Sequence, residues 1–346
     1  MPSCLPFSLF LLISMPVLAK ETLLPPVADS IGVAGGFAGL CDGHLVAGGG
    51  ANFPGGVMPW DGGEKVWHDQ LFSLDLEQPG AGWREIGNMP ASNGYGVSLT
   101  LEDGVLIIGG GNAVRNFRKV LLLGLSQGKP VFRKFPDLPV TLAQMTGALV
   151  GRHVHLYGGL EKPDSASASS SHWMLDLDLP GQGWKAVPPL PGAGRILATS
   201  AGVGDAFIVI GGCSLAPDAS GKPVRTYLRE AWKYAGGKWH RLADPPRAAT
   251  AAASPAPVRG DALFVISGDD GTAHPVPAAH PGFTREILRY DLSDNAWSVA
   301  GKLEVPAPVT LPAVPWKDGY ILFNGEVRPG VRTPQVILFT PPANEP

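Results

Sequence analysis

The sequence has few cysteines, few charges and no long apolar run after its first residues. Three of its 346 residues are cysteine, and 16% are charged. Cys4 lies in the N-terminal segment, whereas Cys41 and Cys213 fall on different copies of the repeat described below. A disulfide requires Cα atoms within about 7 Å. We therefore expect Cys41 and Cys213 to be free thiols.

Basic tracts and metal-ligand spacings are also missing. The net charge is −3, which makes nucleic acids and anionic membrane surfaces poor partners. None of the eight histidines follows an H-x-x-x-H spacing, so we predict no metal site and no cofactor. We expect the following histidines to be loop residues: His68, His172, His274 and His280.

The N-terminal segment is the one long apolar stretch. It runs from Leu5 to Leu18, and Val17-Leu18-Ala19 matches the small residues that a signal peptidase reads. We predict a signal peptide at residues 1–19 and a soluble, periplasmic mature chain. A transmembrane anchor is the alternative, but Pro6 and Pro16 interrupt a stretch that is short for a span.

Glycine and proline are abundant, at 46 and 35 residues, and the glycines mark a repeat. Six β-rich apolar runs end in a glycine at intervals of 49 to 61 residues. These final glycines are Gly49, Gly110, Gly159, Gly212, Gly268 and Gly325. The interval is close to the kelch repeat, in which each copy forms one propeller blade.

A tryptophan follows the glycines in most copies. Examples are Trp83, Trp184, Trp239 and Trp297, with Phe132 in the second copy. The pattern is typical of a four-stranded blade whose glycines lie near the axis and whose tryptophan packs between blades. We therefore predict an all-β, six-bladed kelch-type β-propeller as a single domain over residues 20–346.

The blade limits follow from these marks. They are 31–86, 93–134, 142–187, 195–241, 249–299 and 308–340. The last blade has three strands before the chain ends. We expect residues 20–25 to supply its fourth, outer strand, which closes the ring and removes an exposed edge.

Long insertions follow the second strand of most blades, which places them on one face of the propeller. They cover residues 51–68, 160–171, 213–227, 269–286 and 326–334. Polar residues at the channel mouth on that face are Asn52, Tyr95, Asn112, Glu161, Arg195, Asp269, Asp270 and Glu326. Such a funnel suits a small polar ligand.

The last insertion places Glu326 beside Arg328 and Arg332. An arginine can bind a ligand carboxylate through two hydrogen bonds, and a nearby glutamate can act as base on a ligand hydroxyl. The alternative is a loop held together by Glu–Arg ion pairs. Since structural ion pairs are common, charge spacing alone favours that alternative.

The chain resembles the sialic acid mutarotases, also called N-acetylneuraminate epimerases. The resemblance is carried by residues 32–39, 94–99, 106–110, 195–200 and 324–333. The segment at 324–333 precedes the one at 32–39 in the bacterial periplasmic enzymes and comes last here. The chain is therefore identified as a member of the cyclically permuted branch of that family.

The resemblance implies that Glu326 is the general base and that Arg332 binds the sugar carboxylate, with Arg328 or Arg195 assisting. It implies an isomerase that exchanges the anomers of sialic acid or a related acidic sugar. The chain's residues also allow another class, a non-catalytic propeller that binds a glycan or a protein. A deep convergent pocket favours the enzyme, and a flat apolar patch favours the binding module. The sequence leaves the oligomeric state open.

Two further possibilities are a copper oxidase and a cysteine nucleophile. The oxidase needs a specific Tyr and His set, which we cannot place in this sequence. Cys213 follows a glycine pair at the mouth, but no base is evident near it. We expect Cys213 to be a packing residue.

Overall fold

The computed structural model describes residues 19–27, 31–272 and 276–342. The predicted signal peptide lies outside these residues except for Ala19, and so does His274. The described chain is almost entirely β-structure. Its helices are five single 3₁₀ turns that each begin with proline, whose fixed φ suits the first helical position. These turns are Pro54–Gly56, Pro59–Asp61, Pro79–Ala81, Pro180–Gln182 and Pro277–Ala279.

Most strands form four-stranded antiparallel sheets, which we number 1 to 6 along the chain. Sheet 1 contains Phe37–Cys41, His44–Gly48, Gln70–Asp75 and Arg84–Asn88. Sheet 2 contains Val97–Leu101, Gly104–Ile108, Val120–Ser126 and Lys129–Lys134. Sheet 3 contains Thr146–Val150, His153–Tyr157, His172–Asp176 and Lys185–Val187. Sheet 4 contains Thr199–Val203, Ala206–Ile210, Ala231–Ala235 and Lys238–Arg241. Sheet 5 contains Val258–Arg259, Ala262–Ile266, Glu286–Asp291 and Ala296–Lys302. Sheet 6 contains Ala313–Trp316, Gly319–Phe323, Val336–Thr340 and Lys20–Leu24. The strands fall within the predicted blade limits except at the ends of sheets 1 and 5, which run a few residues beyond.

Three small antiparallel sheets lie in the insertions. They are Ala51–Asn52 with Val66–Trp67; Arg195–Ile196 with Cys213–Pro217 and Pro223–Tyr227; and Glu326–Arg328 with Val331–Arg332. The expected all-β class is therefore confirmed. No helix in the described ranges is long and apolar enough to cross a membrane.

Burial decreases from the second to the fourth strand of each sheet. The second strands of sheets 2, 4 and 5 are buried at every residue, whereas fourth strands such as Lys129–Lys134 are mostly exposed. First strands of neighbouring sheets contact one another, including Phe37–Cys41 with Val97–Leu101 and with Ala313–Trp316. The first strands therefore lie innermost and the fourth strands outermost.

The hydrophobic core consists of clusters between neighbouring sheets. One joins sheets 1 and 2 around Phe37 and Ile107, and others join 2 to 3, 3 to 4, 4 to 5 and 5 to 6. A further cluster joins sheet 6 to sheet 1 through Phe323 and Leu45. Each sheet thus buries both of its faces against two neighbours, as stacked repeats must.

The two ends of the described chain meet in sheet 6. Lys20–Leu24 pairs antiparallel with Val336–Thr340, from Lys20 opposite Thr340 to Leu24 opposite Val336. The strand therefore lies at the outer edge of the sheet, next to the last strand. It covers the hydrogen-bonding edge that the C-terminal strand would otherwise expose.

Tryptophans near the fourth strands also join neighbouring sheets. Each donates its indole N–H to a backbone carbonyl of the adjacent repeat at 2.7 to 2.9 Å. The pairs are Trp83 with Pro25, Trp184 with Pro136, Trp239 with Pro188 and Trp297 with Ala243. These four tryptophans are half-buried, and each satisfies its indole N–H on the neighbouring repeat while its ring packs between the sheets.

Six backbone hydrogen bonds form a closed cycle, which we call the axial cycle. It comprises Gly35, Tyr95, Gln144, Leu197, Ala251 and Thr310, one residue from each repeat. Each N–H donates to the carbonyl of the residue before it, and Gly35 donates to Thr310, at 2.6 to 2.9 Å. All six residues have φ between 56° and 66°, in the left-handed region. Because that conformation is costly for non-glycine residues, their shared use of it indicates a constraint from the surrounding structure.

Both described cysteines, Cys41 and Cys213, are buried and free, as expected. The histidines differ from the expectation at one position, because His172 is a buried strand residue rather than a loop residue. His172 donates from Nδ1 to the Pro188 carbonyl at 3.1 Å, which leaves its Nε2 to accept from Nδ1 of His155 at 3.0 Å. Both rings stack against Phe207 between sheets 3 and 4.

This histidine pair predicts a loss of stability in acid. Burial lowers the pKa of His155 to about 3 and that of His172 to about 4, below the unfolded value of 6.5. Between pH 6.5 and the folded pKa values the unfolded chain binds more protons, so the free energy of unfolding falls as pH falls. Denaturant titrations should show a shallower dependence on pH in this window for His155→Phe than for the wild type. The exposed His240, replaced by Gln, is the matched control, and an unchanged slope in His155→Phe would contradict this origin.

Candidate functional site

One backbone position recurs in all six repeats and carries the site. The residue three positions after the end of the second strand forms an antiparallel bridge with the residue that precedes the axial cycle member. The pairs are Ala51 with Ala34, Gly111 with Gly94, Leu160 with Ala143, Cys213 with Ile196, Asp269 with Thr250 and Glu326 with Val309. Four of these six positions are uncharged. Only Asp269 and Glu326, in neighbouring repeats, place a carboxylate there.

A cavity of about 290 Å³ opens over the axial cycle. Five of the six cycle residues line it, of which Ala251 is buried and the other four are half-buried. The sixth is Gly35, where a Cβ atom would lie 2.7 Å from the Tyr95 ring. Residues from the insertions form the walls: Phe53, Pro59, Lys65, Arg225, Asp269, Phe283, Glu326, Gly330 and Arg332. The cavity therefore lies on the face that the sequence predicted.

Glu326 and Arg332 face each other across a two-stranded hairpin and both line this cavity. Nη1 of Arg332 lies 2.7 Å from Oε2 of Glu326, with side chains 4% and 19% exposed. Oε1 of Glu326 accepts the backbone N–H of Gly330 at 2.8 Å. The Gly330 N–H thus holds one carboxylate oxygen of Glu326, and the side chain is accessible from the cavity.

Arg332 is held by the first repeat. Its Nε donates to the Ala51 carbonyl at 3.2 Å, and its guanidinium lies 5.0 Å from the centre of the Phe53 ring. The N–H of Nη1 is not directed at Glu326, so this buried nitrogen has no hydrogen-bond partner among the described residues despite the short ionic contact. A buried guanidinium nitrogen that is ion-paired to Glu326 but donates no hydrogen bond to it is well suited to donate to a ligand carboxylate.

Asp269 and Arg225, from the fifth and fourth repeats, also line the cavity. Oδ2 of Asp269 accepts from the Tyr227 hydroxyl at 2.9 Å, and Oδ1 accepts from the Gly271 N–H at 2.9 Å. Burial, followed by the negative charge of Asp269, raises the pKa of Tyr227 to about 12. Tyr227 therefore stays protonated and donates to Asp269 throughout the neutral range.

Tyr95 is the cavity residue that the sequence predicted on the channel side. Its ring contacts Trp67 edge-on at 5.3 Å, and Nζ of Lys65 lies 4.2 Å above its centre. Lys65 also lies 4.7 Å from the centre of the Trp67 ring. This arrangement fixes an exposed ammonium at the cavity wall by cation–π attraction.

Arg195 does not line the cavity, contrary to expectation. Its side chain is 1% exposed and donates to Oε2 of Glu230 at 2.9 Å and to the Gly211 carbonyl at 3.1 Å. Asn52 is likewise occupied, because it donates to the Gly32 carbonyl and its Oδ1 contacts Nε2 of His68 at 2.8 Å. Neither side chain lines the cavity.

Three further predicted residues lie outside the cavity lining. Oδ1 of Asn112 accepts the backbone N–H groups of Val114 and Arg115, which makes it a turn residue. Arg328 is exposed and donates to the Ala278 carbonyl at 3.2 Å. Glu161 is exposed as well. The cavity therefore unites Glu326, Arg332 and Tyr95 among the predicted catalytic and substrate-binding residues, together with Asp269 from the predicted mouth.

Lys65, Arg225 and Gln144 were not singled out from the sequence. Lys65 and Arg225 lie in the insertions at 51–68 and 213–227. The sequence predicts these insertions on the binding face, but it does not distinguish the two side chains from the other residues of their loops. Gln144 belongs to the axial cycle, and its position is equivalent to that of Tyr95. The spacing to the repeat glycines was the signal that could have identified Gln144.

The weaker candidates remain without a chemical role. Burial raises the pKa of the Cys213 thiol to about 11, which keeps it protonated and unreactive. Asp270 is exposed and accepts the backbone N–H of Thr272. The described residues contain no group of three or more His, Cys, Asp or Glu side chains that could hold a metal ion.

Comparison with known proteins gives these features a context. A family model described as N-acetylneuraminate epimerase matches residues 19–130. This chain resembles the N-acetylneuraminate epimerases. It is 40% identical to N-acetylneuraminate epimerase 1 of Escherichia coli O6:H1 over 95 residues, which are 26% of each chain. It is 27% identical to the Yersinia enterocolitica epimerase over 230 residues, 59% of this chain and 56% of that one.

A solved structure titled "Structure of YjhT" has the same fold. It superimposes with a TM-score of 0.69 and 14% identity, covering 93% of this chain and 98% of that chain. At this identity the likeness concerns the fold alone. It supports a β-propeller architecture.

The sequence matches to the epimerases are partial. The aligned parts span about a quarter to a little over half of the two curated relatives' lengths, 26% and 56%. The family match includes Lys65 and Tyr95 but ends before Glu326 and Arg332. The family match therefore carries no information on those two residues.

The position of Arg195 yields a prediction about stability. Arg195→Met should lower the free energy of unfolding by about 3 kcal/mol, because it leaves the half-buried Glu230 carboxylate without its closest cation. Chemical denaturation measures this, and calorimetry with N-acetylneuraminate should show the wild-type affinity. Arg229→Met, at an exposed arginine nearby, is the control. Unchanged stability with weakened binding would instead assign Arg195 to the ligand.

Proposed function

We propose that this protein is an isomerase that exchanges the α and β anomers of N-acetylneuraminate or a related acidic sugar. The observation that carries the proposal is the convergence of Glu326 and Arg332 on one cavity. The resemblance to the epimerases names the substrate. A cavity lined by opposite charges and aromatic rings fits a small acidic sugar better than a flat patch would, which favours the enzyme over a non-catalytic binding propeller.

Arg332 is the proposed carboxylate-binding residue. The sugar carboxylate and the anomeric hydroxyl share one carbon atom, so binding the first brings the second near Glu326. Nη1 of Arg332, which donates no hydrogen bond to any residue that the structure describes, provides a donor for this contact. Phe53 and the Ala51 carbonyl hold the guanidinium in place before the ligand arrives, which reduces the entropy lost on binding.

Glu326 is the proposed general base. Its carboxylate removes the proton of the anomeric hydroxyl, the bond between the anomeric carbon and the ring oxygen breaks, and the ring oxygen takes a proton from water. The open-chain ketone then re-closes on its other face, and the protons return along the same route. Atoms and charges balance, and the proposed steps require no cofactor.

The architecture completes the proposal. The six sheets act as the blades of a closed kelch-type propeller, supported by the axial cycle, the six inter-sheet clusters and the pairing of Lys20–Leu24 with Val336–Thr340. A cyclic permutation relative to the bacterial enzymes accounts for Glu326 and Arg332 in the last repeat. We also propose export to the periplasm, based on residues 1–19.

Glu326→Gln should slow enzymatic anomer exchange by about a hundredfold or more, because general base catalysis contributes on that order. The glutamine amide keeps the size of the side chain and an oxygen for the Gly330 N–H, so the affinity should stay near that of the wild type. One-dimensional NMR of freshly released α-anomer, with and without protein, measures the exchange. The spontaneous rate is the baseline, and wild-type exchange in Glu326→Gln would refute the assignment.

Arg332→Gln should weaken binding of N-acetylneuraminate at least about tenfold, since it removes a charge-assisted contact to the sugar carboxylate. Titration calorimetry measures the affinity. Arg328→Gln is the matched variant in the same hairpin, and its exposed position predicts wild-type affinity. Equal losses in both variants would show that net charge at the mouth, and not the Arg332 contact, binds the sugar.

A further inference from the structure

Asp269 occupies in the fifth repeat the backbone position that Glu326 occupies in the sixth. Both follow the repeat glycines, and each is bridged to the residue before an axial cycle member, Thr250 and Val309 respectively. Both line the same cavity. The fold therefore places two carboxylates at one level of the pocket, in neighbouring repeats, and the mechanism above uses only one.

The surroundings of the two carboxylates differ. Glu326 has the Arg332 guanidinium at 2.7 Å, whereas no Lys, Arg or His in the described ranges lies within ion-pair distance of Asp269. Asp269 instead accepts from the Tyr227 hydroxyl and the Gly271 N–H, one on each oxygen. A carboxylate has about four acceptor positions, so each oxygen retains capacity for a further donor.

Tyr227 orients this carboxylate and does not itself line the cavity. Its raised pKa keeps the hydroxyl a donor, which leaves the remaining lone pairs of Asp269 for the ligand. The ring of Tyr227 packs against Gly271, where an added Cβ would lie 2.6 Å from the ring. The turn, the tyrosine and the aspartate thus form one preorganised unit.

We propose that Asp269, held by Tyr227, is a hydroxyl-binding subsite that recognises the exocyclic polyol chain of the sugar. This inference rests on the proposed function. In N-acetylneuraminate the anomeric carbon and the carbon that bears the polyol chain both adjoin the ring oxygen. Ligand groups on these two carbons are neighbours, just as Glu326 and Asp269 are neighbours in the pocket. Vicinal hydroxyls supply two donors to one carboxylate, which is the complement of the capacity left on Asp269.

The test compares two sugars and three variants. The sugars are N-acetylneuraminate and an analogue whose polyol chain has been shortened to a single carbon by mild periodate oxidation and borohydride reduction. The variants are Asp269→Asn, Tyr227→Phe and, as the matched control, Asp270→Asn at the adjacent exposed carboxylate outside the cavity lining. The rate of anomer exchange at varied sugar concentration gives kcat and KM for each combination.

For Asp269→Asn we expect KM for N-acetylneuraminate to rise about tenfold with kcat changed less than about twofold, since a hydrogen bond to a charged group is lost. The shortened sugar should have the same KM with wild type and Asp269→Asn. Tyr227→Phe should show a smaller rise in KM in the same direction, also confined to N-acetylneuraminate. Asp270→Asn should match the wild type with both sugars.

Three outcomes would overturn the subsite. These are an unchanged KM in Asp269→Asn, an equal rise for both sugars, or a fall in kcat alone, which would make Asp269 a proton-transfer group. Failure of the proposed function looks different, because the wild type would then not accelerate exchange at all. In that case calorimetry with the same two sugars decides, and a wild type that binds neither sugar, or prefers neither, also overturns the inference.

Discussion

The structure depends on the axial cycle of six backbone hydrogen bonds. Each repeat contributes one residue in the left-handed region, and each of these residues both donates to one neighbour and accepts from the other. Five of the six are not glycine, so each is held in a conformation that costs about 1 to 3 kcal/mol. The hydrophobic clusters between the sheets compensate for that cost. The cycle itself satisfies six backbone donors and six acceptors at positions where strands no longer pair.

The cycle also explains why the chemistry lies where it does. Five of its members form the floor of the cavity, and the residue before each member is bridged to the residue three positions after the second strand of its repeat. Of these six equivalent positions, Asp269 and Glu326 line the cavity. The backbone is nearly symmetric, but the side chains are not, because carboxylates occur only at Asp269 and Glu326. Gly35 breaks the symmetry of the floor and leaves room for the Tyr95 ring.

The repeat could be predicted from the sequence because few other residues can replace glycine and tryptophan at their positions in it. The glycines allow positive φ and close backbone approach near the axis. Tryptophans fill the gap between sheets and donate to a neighbouring carbonyl. The site could be predicted only in part. The sequence identifies Glu326 and Arg332 because opposite charges lie close together in one loop. Lys65 and Arg225 have no such pattern, and only the folded insertions place them at the cavity.

Residue type and spacing determined the β-class, the sixfold repeat and the face that bears the insertions, since these follow from local backbone requirements. Tertiary structure alone decided which polar side chains remain free for a ligand. Arg195, Asn52 and Asn112 lie at expected strand and loop ends, yet nearby acceptors and backbone N–H groups occupy them. Nη1 of Arg332 is ion-paired to Glu326, but within the described ranges it donates no hydrogen bond, because the carboxylate oxygen lies close but out of line. The hydrogen-bond partners of these side chains depend on how each turn and insertion folds and, for Arg332, on Ala51 of the neighbouring repeat, which residue spacing alone does not encode.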